Sequence, residues 1–372
     1  MTALLSRLKI AYVLGNAPFG QSEWAVAGLY AAKMLDKEVG EVHYLDPVPR
    51  PWWFRRGLLG SWYSTRQLLR RLDGQHFDCV LVVSDFSEAS FIGNDVPVFY
   101  ITDVTFPLMT SYLPALRKAG FFFRWQSRYL ERRMFRRSRA LVLTSQWAAD
   151  SVIRDYKISK TKVNVLLPGA NLDEAPRPDL VRQKFDNPSL TVIFFSKAWE
   201  QQGGAIVSNT FRLLKATFPD AHLIICGCAP PSDQDVSGVT VIPPFDREDP
   251  GAEARRSALL ASVHFLLQPT RGDSFLPEAA EANAYGIPVI TTETGGVTDL
   301  VQDGVNGYCL PYQSDSRIYA FLISELFMDK EHYRELVGSS RERYENRLNW
   351  ATWALGVREV IRKAVDKPAH PH

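Results

Sequence analysis

Residues 271–296 read RGDSFLPEAAEANAYGIPVITTETGG, and the placement of proline, glycine and acid in that stretch sets the architecture. Pro277 suits the first position of a helix, where a missing N–H costs nothing, and Gly286 suits the residue just past a helix end. The apolar run at 287–290 then reads as a buried strand. The spacing predicts a short helix that starts near 277, follows Asp273 and carries Glu278 and Glu281 in its first turns. A helix start offers unpaired N–H groups and a partial positive charge, which suit an anion. Acids near such a start also simply complement the dipole, which is enough to account for Glu278. Asp273 and Glu281 form a more pointed pair, because two carboxylates eight positions apart can both accept hydrogen bonds from vicinal hydroxyls. Gly295 and Gly296 add a second place where backbone can approach a ligand closely.

Immediately upstream, VHFLLQP (263–269) reads as a strand, so the helix start falls at the carboxyl edge of a parallel sheet, where open α/β folds bind ligands. The same alternation of short apolar runs with longer amphipathic segments fills the chain. KIAYVLG (9–15), CVLVVS (79–84), VPVFYIT (96–102) and ALVLTS (140–145) are strand candidates, with a helix over 24–35 between the first two. VNVLLPGANLDEAPRP (163–178) runs from a strand into a Pro-, Asp- and Glu-rich stretch that reads as an exposed linker. The pattern restarts with LTVIFFS (190–196), AHLIICG (221–227), VTVIP (239–243), IPVITT (287–292) and GYCLP (307–311). The expected fold is α/β, with two Rossmann-like domains at 1–172 and 173–349 facing a central cleft. A tail helix at about 350–372 is expected to pack back on the first domain.

Totals agree with that division. A chain of 372 residues with 46% hydrophobic content exceeds one ordinary core. The formal charge of +2 provides no global field for nucleic acid. Cys79, Cys226, Cys228 and Cys309 sit mostly in apolar runs and read as core thiols of a reducing compartment. MTALLSRLKIAYVLG lacks an apolar stretch with a small-residue cleavage site, and no run reaches the ~18 apolar residues of a membrane span. These features point to a cytoplasmic protein.

The segment from 271 onward resembles the donor-site signature of retaining GT-B glycosyltransferases of the GT4 group, the glycosyl transferases group 1. The resemblance is carried by Asp273 and Glu281 with seven residues between them, Ala282, Gly286-Ile287-Pro288-Val289-Ile290, Gly295-Gly296 and the loop Asp303-Gly304-Val305-Asn306-Gly307. It extends more weakly to SQWAADSVIRDYKISKTKVNVLLPGANLD (145–173) and FFSKAWEQQGG (194–204). It implies a GT-B fold, a nucleotide-sugar donor on the second domain, and retention of anomeric configuration by front-face departure and attack. Within it, Glu281 would hold the nucleotide ribose and Asp273, a glutamate in the family, would lie near the transferred sugar. The backbone of Ser274, Phe275 and Leu276, where the family has Gly-Phe-Gly, would meet the diphosphate or the sugar. Lys197 and Gln202 match a loop where the family carries two cations that neutralise the departing diphosphate, and Gln202 has no charge. Gly20, in FGQSE (19–23), matches a glycine loop near the donor phosphates, and Asp103, in YITDVTFP (100–107), matches an acid facing the donor. Each also has a plainer reading: Lys197 as a solvated lysine, Gly20 as a turn residue, Asp103 as a cap after a strand.

No metal or other cofactor is expected. The seven histidines show no paired ligand spacing, and Asp233-Gln234-Asp235 matches an Asp-x-Asp metal motif only inside a Pro/Ser-rich loop. Two segments, 49–72 and 116–139, interleave arginine with Trp, Phe, Tyr and Leu; from Arg117 to Arg139 nine basic residues face Glu131 alone. That composition suits peripheral contact with anionic membrane. It also fits an amphipathic helix with core aromatics, whereas nucleic acid is disfavoured by the near-neutral total. The expected function is metal-independent, retaining transfer of a sugar from a nucleotide-sugar donor to a hydroxyl acceptor, a glycan or lipid-linked saccharide. A GT-B epimerase or phosphorylase, and a non-catalytic donor-binding homologue acting as a partner protein, are the alternatives.

Overall fold

The computed structural model describes residues 7–15, 24–46, 54, 57–93, 96–231, 237–245, 249, 251–272 and 274–365. The chain divides into two compact units, residues 1–171 with 350–372 and residues 172–349.

The first unit is built on β1 (Leu8–Leu14), β2 (Gly40–Tyr44), β3 (Cys79–Val83), β4 (Val98–Thr102), β5 (Ala140–Leu143) and β6 (Val163–Val165). All pair in parallel in the order β2-β1-β3-β4-β5-β6. The inner strands β3, β4 and β5 are buried at every position, as continuous apolar runs in a sheet covered on both faces should be. The edge strand β2, GEVHY, carries Glu41 and His43 and is only partly buried. Helices α1 (Trp24–Glu38), α2 (Leu58–Leu72), α3 (Phe106–Tyr112), α4 (Phe121–Arg137) and α5 (Gln146–Tyr156) connect these strands. Along α1, Trp24, Ala27, Gly28, Ala31, Ala32 and Leu35 recur at helical spacing and are buried.

Residues 163–178 depart from the exposed linker expected of them. Residues 168–171 are buried, and exposure begins at Asp173. The cause lies far downstream in the tail helix (Trp350–Val365), where Trp350 donates Nε1 to Asn171 Oδ1 at 3.2 Å and sets its ring 6.3 Å from that of Trp24.

Helix α4 turns Leu130, Met134, Phe135, Ser127 and Glu131 inward. Glu131, the acid that interrupts the basic run, is spent in the core: both carboxylate oxygens accept from Phe106 N at 3.0 Å, and the Tyr156 hydroxyl donates to it. The aromatics Phe121, Phe122, Trp125 and Tyr129 of α4 point outward instead, with Phe121 84% and Phe122 66% exposed. Phe122, Trp125 and Tyr129 stack in a ladder with centroids 6.0 and 5.8 Å apart. On α2, Leu59, Trp62 and Tyr63 are exposed too, and Arg66 lies 4.4 Å over the Trp62 ring. Residues 49–53, 55 and 56 of the upstream basic segment lie outside the described residues. No described helix is long and apolar enough to cross a membrane.

The second unit carries β7 (Thr191–Ser196), β8 (His222–Gly227), β9 (Val239–Ile242), β10 (Phe265–Gln268), β11 (Val289–Thr292) and β12 (Gly307–Leu310). They too are parallel, in the order β12-β11-β10-β7-β8-β9. Helices α6 (Gly204–Thr217), α7 (Ala252–Ala261) and α8 (Pro277–Ala284) are followed by longer helices at Ser316–Met328 and Lys330–Asn346. Helix α8 starts on Pro277 as expected and is buried from Ala279 to Ala284; Gly286 follows it in the left-handed region at φ 65°.

Behind this sheet His264 is 2% exposed, and its Nδ1 accepts from Thr191 N at 3.1 Å. Burial, with the Lys184 ammonium nearby, pushes the imidazole down to about 4. The folded chain therefore binds this proton less readily than the unfolded chain. The associated stability is present above about pH 6.5 and is lost as pH falls toward 4, about 2 kcal/mol of it by about pH 5. Chemical denaturation at both pH values should show His264→Asn losing less stability on acidification than wild type by that amount.

Candidate functional site

In the second sheet the succession β7, β8, β9 steps toward one edge and β10, β11, β12 toward the other, all strands parallel, so the order reverses between β7 and β10. Ligands of open α/β sheets bind outside the carboxyl ends at such a reversal. Two loops flank it, residues 197–203 after β7 and 269–276 after β10.

The loops are fastened together. Gly203 has φ 82°, and a Cβ there would lie 2.2 Å from Pro269 O, so neither the conformation nor the space admits a side chain. Arg271 N donates to Gln201 O at 3.0 Å. Arg271 also reaches Tyr312 O with Nη1 at 2.8 Å and lies 3.8 Å over the Tyr312 ring.

Lys197 is the exposed residue that follows β7, and its N–H donates to Gln202 Oε1 at 2.7 Å. The same oxygen accepts from Ala198 N at 3.2 Å. Gln202 thus braces the turn from which Lys197 projects. Across the switch point, half-buried Ser274 and buried Phe275 and Leu276 lead into α8, and Leu276 supplies no side-chain cap to the helix start. Asp273 lies outside the described residues.

Glu281 is 7% exposed, and its carboxylate is ion-paired with the Arg256 guanidinium of α7, itself 8% exposed. Arg256 also lies 3.8 Å from Glu253. Sequence reading missed Arg256, which belongs to no motif quoted above; an arginine on the buried side of its helix, four positions from Ala252 and four from Leu260, was the available signal. In the loop 303–307 Asn306 is fully buried and donates to Asn283 Oδ1 at 2.6 Å and Leu300 O at 2.9 Å. That part of the signature is a brace that ties α8 to β12.

Lys197, Gln202, Ser274, Phe275, Leu276 and Glu281 therefore belong to one edge of one unit. Asp103 belongs to the other unit, at the carboxyl end of β4, where its Oδ1 accepts from Trp24 Nε1 at 3.1 Å. Gly20 and the Asp233-Gln234-Asp235 stretch lie outside the described residues. Chemically, the edge of the second sheet combines a helix N-terminus and a lysine, which suit an anion, with a buried carboxylate that accepts from hydroxyls.

Residues 24–174 match the family described as Glycosyltransferase Family 4, and residues 189–329 that described as Glycosyl transferases group 1. The chain belongs to this family of GT-B glycosyltransferases. A D-inositol 3-phosphate glycosyltransferase of Corynebacterium kroppenstedtii is 24% identical over 247 residues, 62% of this chain and 54% of that protein. The chain thus spans about half the length of that curated relative. Among solved structures, sucrose-phosphate synthase from Thermosynechococcus elongatus superposes with a TM-score of 0.72 at 15% identity, covering 96% of this chain and 99% of that one. An Anabaena protein in complex with UDP and glucose gives 0.64 at 16% identity, over 96% and 100%. Both likenesses establish the two-sheet GT-B fold.

Proposed function

We propose that the protein transfers a sugar from a nucleotide-sugar donor to a hydroxyl of a saccharide or lipid-linked acceptor, with retention and without a metal. The observation that carries this reading is the fastening of the Lys197 loop to the loop that starts α8, at the switch point of a parallel sheet. In this reading Glu281 accepts from the donor ribose. The start of α8, the backbone of residues 274–276 and Lys197 meet the diphosphate, whose charge grows as the glycosidic bond breaks. Asp273 is assigned to the transferred sugar. The acceptor hydroxyl attacks the face from which the diphosphate departs.

UDP, bound in the Anabaena structure, is the first nucleotide to try. Thermal shift with UDP, GDP, ADP and TDP should single out one base. The matching sugar nucleotide should then be slowly hydrolysed without acceptor, and NMR of the product should show the donor's anomeric configuration. Stabilisation by none of the four nucleotides would sink the proposal. Gln202 favours a second reading, a donor-binding homologue without turnover, since its oxygen is occupied in bracing the loop and it brings no charge. Tight nucleotide binding with neither hydrolysis nor transfer would select it.

We also propose that the first unit rests on anionic membrane through the outward face of α4, which would suit a lipid-linked acceptor on the cytoplasmic side. Exposed rings sit at headgroup depth, and each arginine near the surface contributes about 1 kcal/mol. Arg124→Ala combined with Arg132→Ala should weaken binding to phosphatidylglycerol vesicles roughly thirtyfold, by about 2 kcal/mol, in a sedimentation assay. Equal sedimentation of both proteins, or equal binding to pure phosphatidylcholine, would refute the contact.

A further inference from the structure

The first sheet reverses its order between β1 and β3, so its own crevice lies beyond the carboxyl ends of those two strands. Asp85 sits there, immediately after β3, and no motif singled it out. Its side chain is 2% exposed. One carboxylate oxygen, Oδ1, accepts from Ser87 N at 2.9 Å and caps the single turn Phe86–Glu88. The other, Oδ2, is buried with no hydrogen-bond partner among the described residues, and so is the Ser87 hydroxyl. A buried carboxylate oxygen without a donor is costly, and a fold that retains one has a use for it.

The surrounding backbone is arranged around this residue. Ser84, just before it, is held at φ 71°, a conformation that a residue with a side chain rarely adopts. Its carbonyl accepts from the Tyr100 hydroxyl at 3.0 Å and its N–H donates to Ile101 O at 2.9 Å. Gly15, at the end of β1, comes so near that an added Cβ would lie 2.3 Å from the Asp85 Cβ. Strain of this kind gathers at ligand sites.

We propose that Asp85 Oδ2 and the Ser87 hydroxyl receive hydroxyl groups of a neutral sugar or polyol, making this edge the acceptor-recognising part of the first unit. The inference rests on the transferase reading for the word acceptor, while the site itself rests on Asp85. The charge here identifies the ligand class. The second sheet offers a lysine and a helix start at its switch point. The first offers the Asp85 carboxylate there, whose unengaged oxygen accepts from hydroxyls.

Saturation-transfer NMR on the full chain with myo-inositol, glucose and maltose tests this. At least one of the three should bind wild type. Asp85→Ser, which keeps an oxygen to cap Ser87 N but removes Oδ2, should weaken that binding about tenfold or more. Its melting temperature should stay the same or rise, whereas a residue serving only the turn would lower it without touching affinity. Asp85→Asn, close to the native shape but donating where Oδ2 accepts, should show the same loss and covers the case in which the serine variant does not fold. Affinity within twofold of wild type in a folded variant overturns the inference. Binding of none of the three probes also overturns it and leaves Oδ2 to an ordered water. UDP affinity, measured in parallel, should not change in either variant; absence of UDP binding by wild type would count against the donor reading and leave the polyol result standing.

Discussion

Glu281→Ala is expected to cost about 3–5 kcal/mol of folding stability and roughly tenfold to a hundredfold in nucleotide affinity. The first loss comes from Arg256. Its side chain is 10% exposed and its guanidinium is paired with Glu281, so truncating the carboxylate leaves a buried cation with only the more distant Glu253. The second comes from the ribose, which would give up a hydrogen bond to a charged acceptor. The two losses separate in the double variant Arg256→Met with Glu281→Met. An apolar pair of similar volume removes both charges together, and such replacements are often neutral or stabilising. Urea denaturation should therefore show the double variant recovering most of the stability, while calorimetry with the preferred nucleoside diphosphate shows affinity still lost. Recovery of affinity along with stability would mean that Glu281 serves only the packing of α7 on α8.

That pair also marks how far the sequence could be read. Strands β3, β4, β10 and β11 were legible because a strand covered on both faces must be apolar throughout, and their runs are interrupted by no charge. The start and end of α8 were legible because Pro277 and Gly286 act through local backbone rules. The edge strand β2 was not, since one-sided pairing lets it carry Glu41 and His43. Contacts set by packing were hidden as well. Arg256 meets Glu281 from 25 positions away, the tail helix buries Asn171 from 179 positions away, and Gly15 reaches Asp85 only because β1 and β3 are neighbours in the sheet. The motif around 303–307 was visible as a pattern, but only the Asn306 hydrogen bonds show that it holds α8 against β12.

Lys197→Ala is expected to lower turnover by about 10²–10³-fold while changing donor affinity little. The asymmetry follows from where charge appears. In the bound donor the diphosphate is partly neutralised by its own ester to the sugar, and the start of α8 suffices to hold it. As that bond breaks, a further negative charge develops on the departing oxygen, and a cation aimed there stabilises the transition state more than the ground state. The loop offers no substitute, because Gln202 is neutral and its oxygen is committed to Lys197 N and Ala198 N. Those two bonds run to the backbone, so alanine at 197 leaves the turn intact and the variant should fold as wild type does. Single-turnover measurement of donor cleavage, set beside calorimetric donor affinity, decides the matter. A large fall in the rate with affinity kept assigns Lys197 to the leaving group; equal falls in both would make it a ground-state anchor and shift the burden of departure onto the helix start.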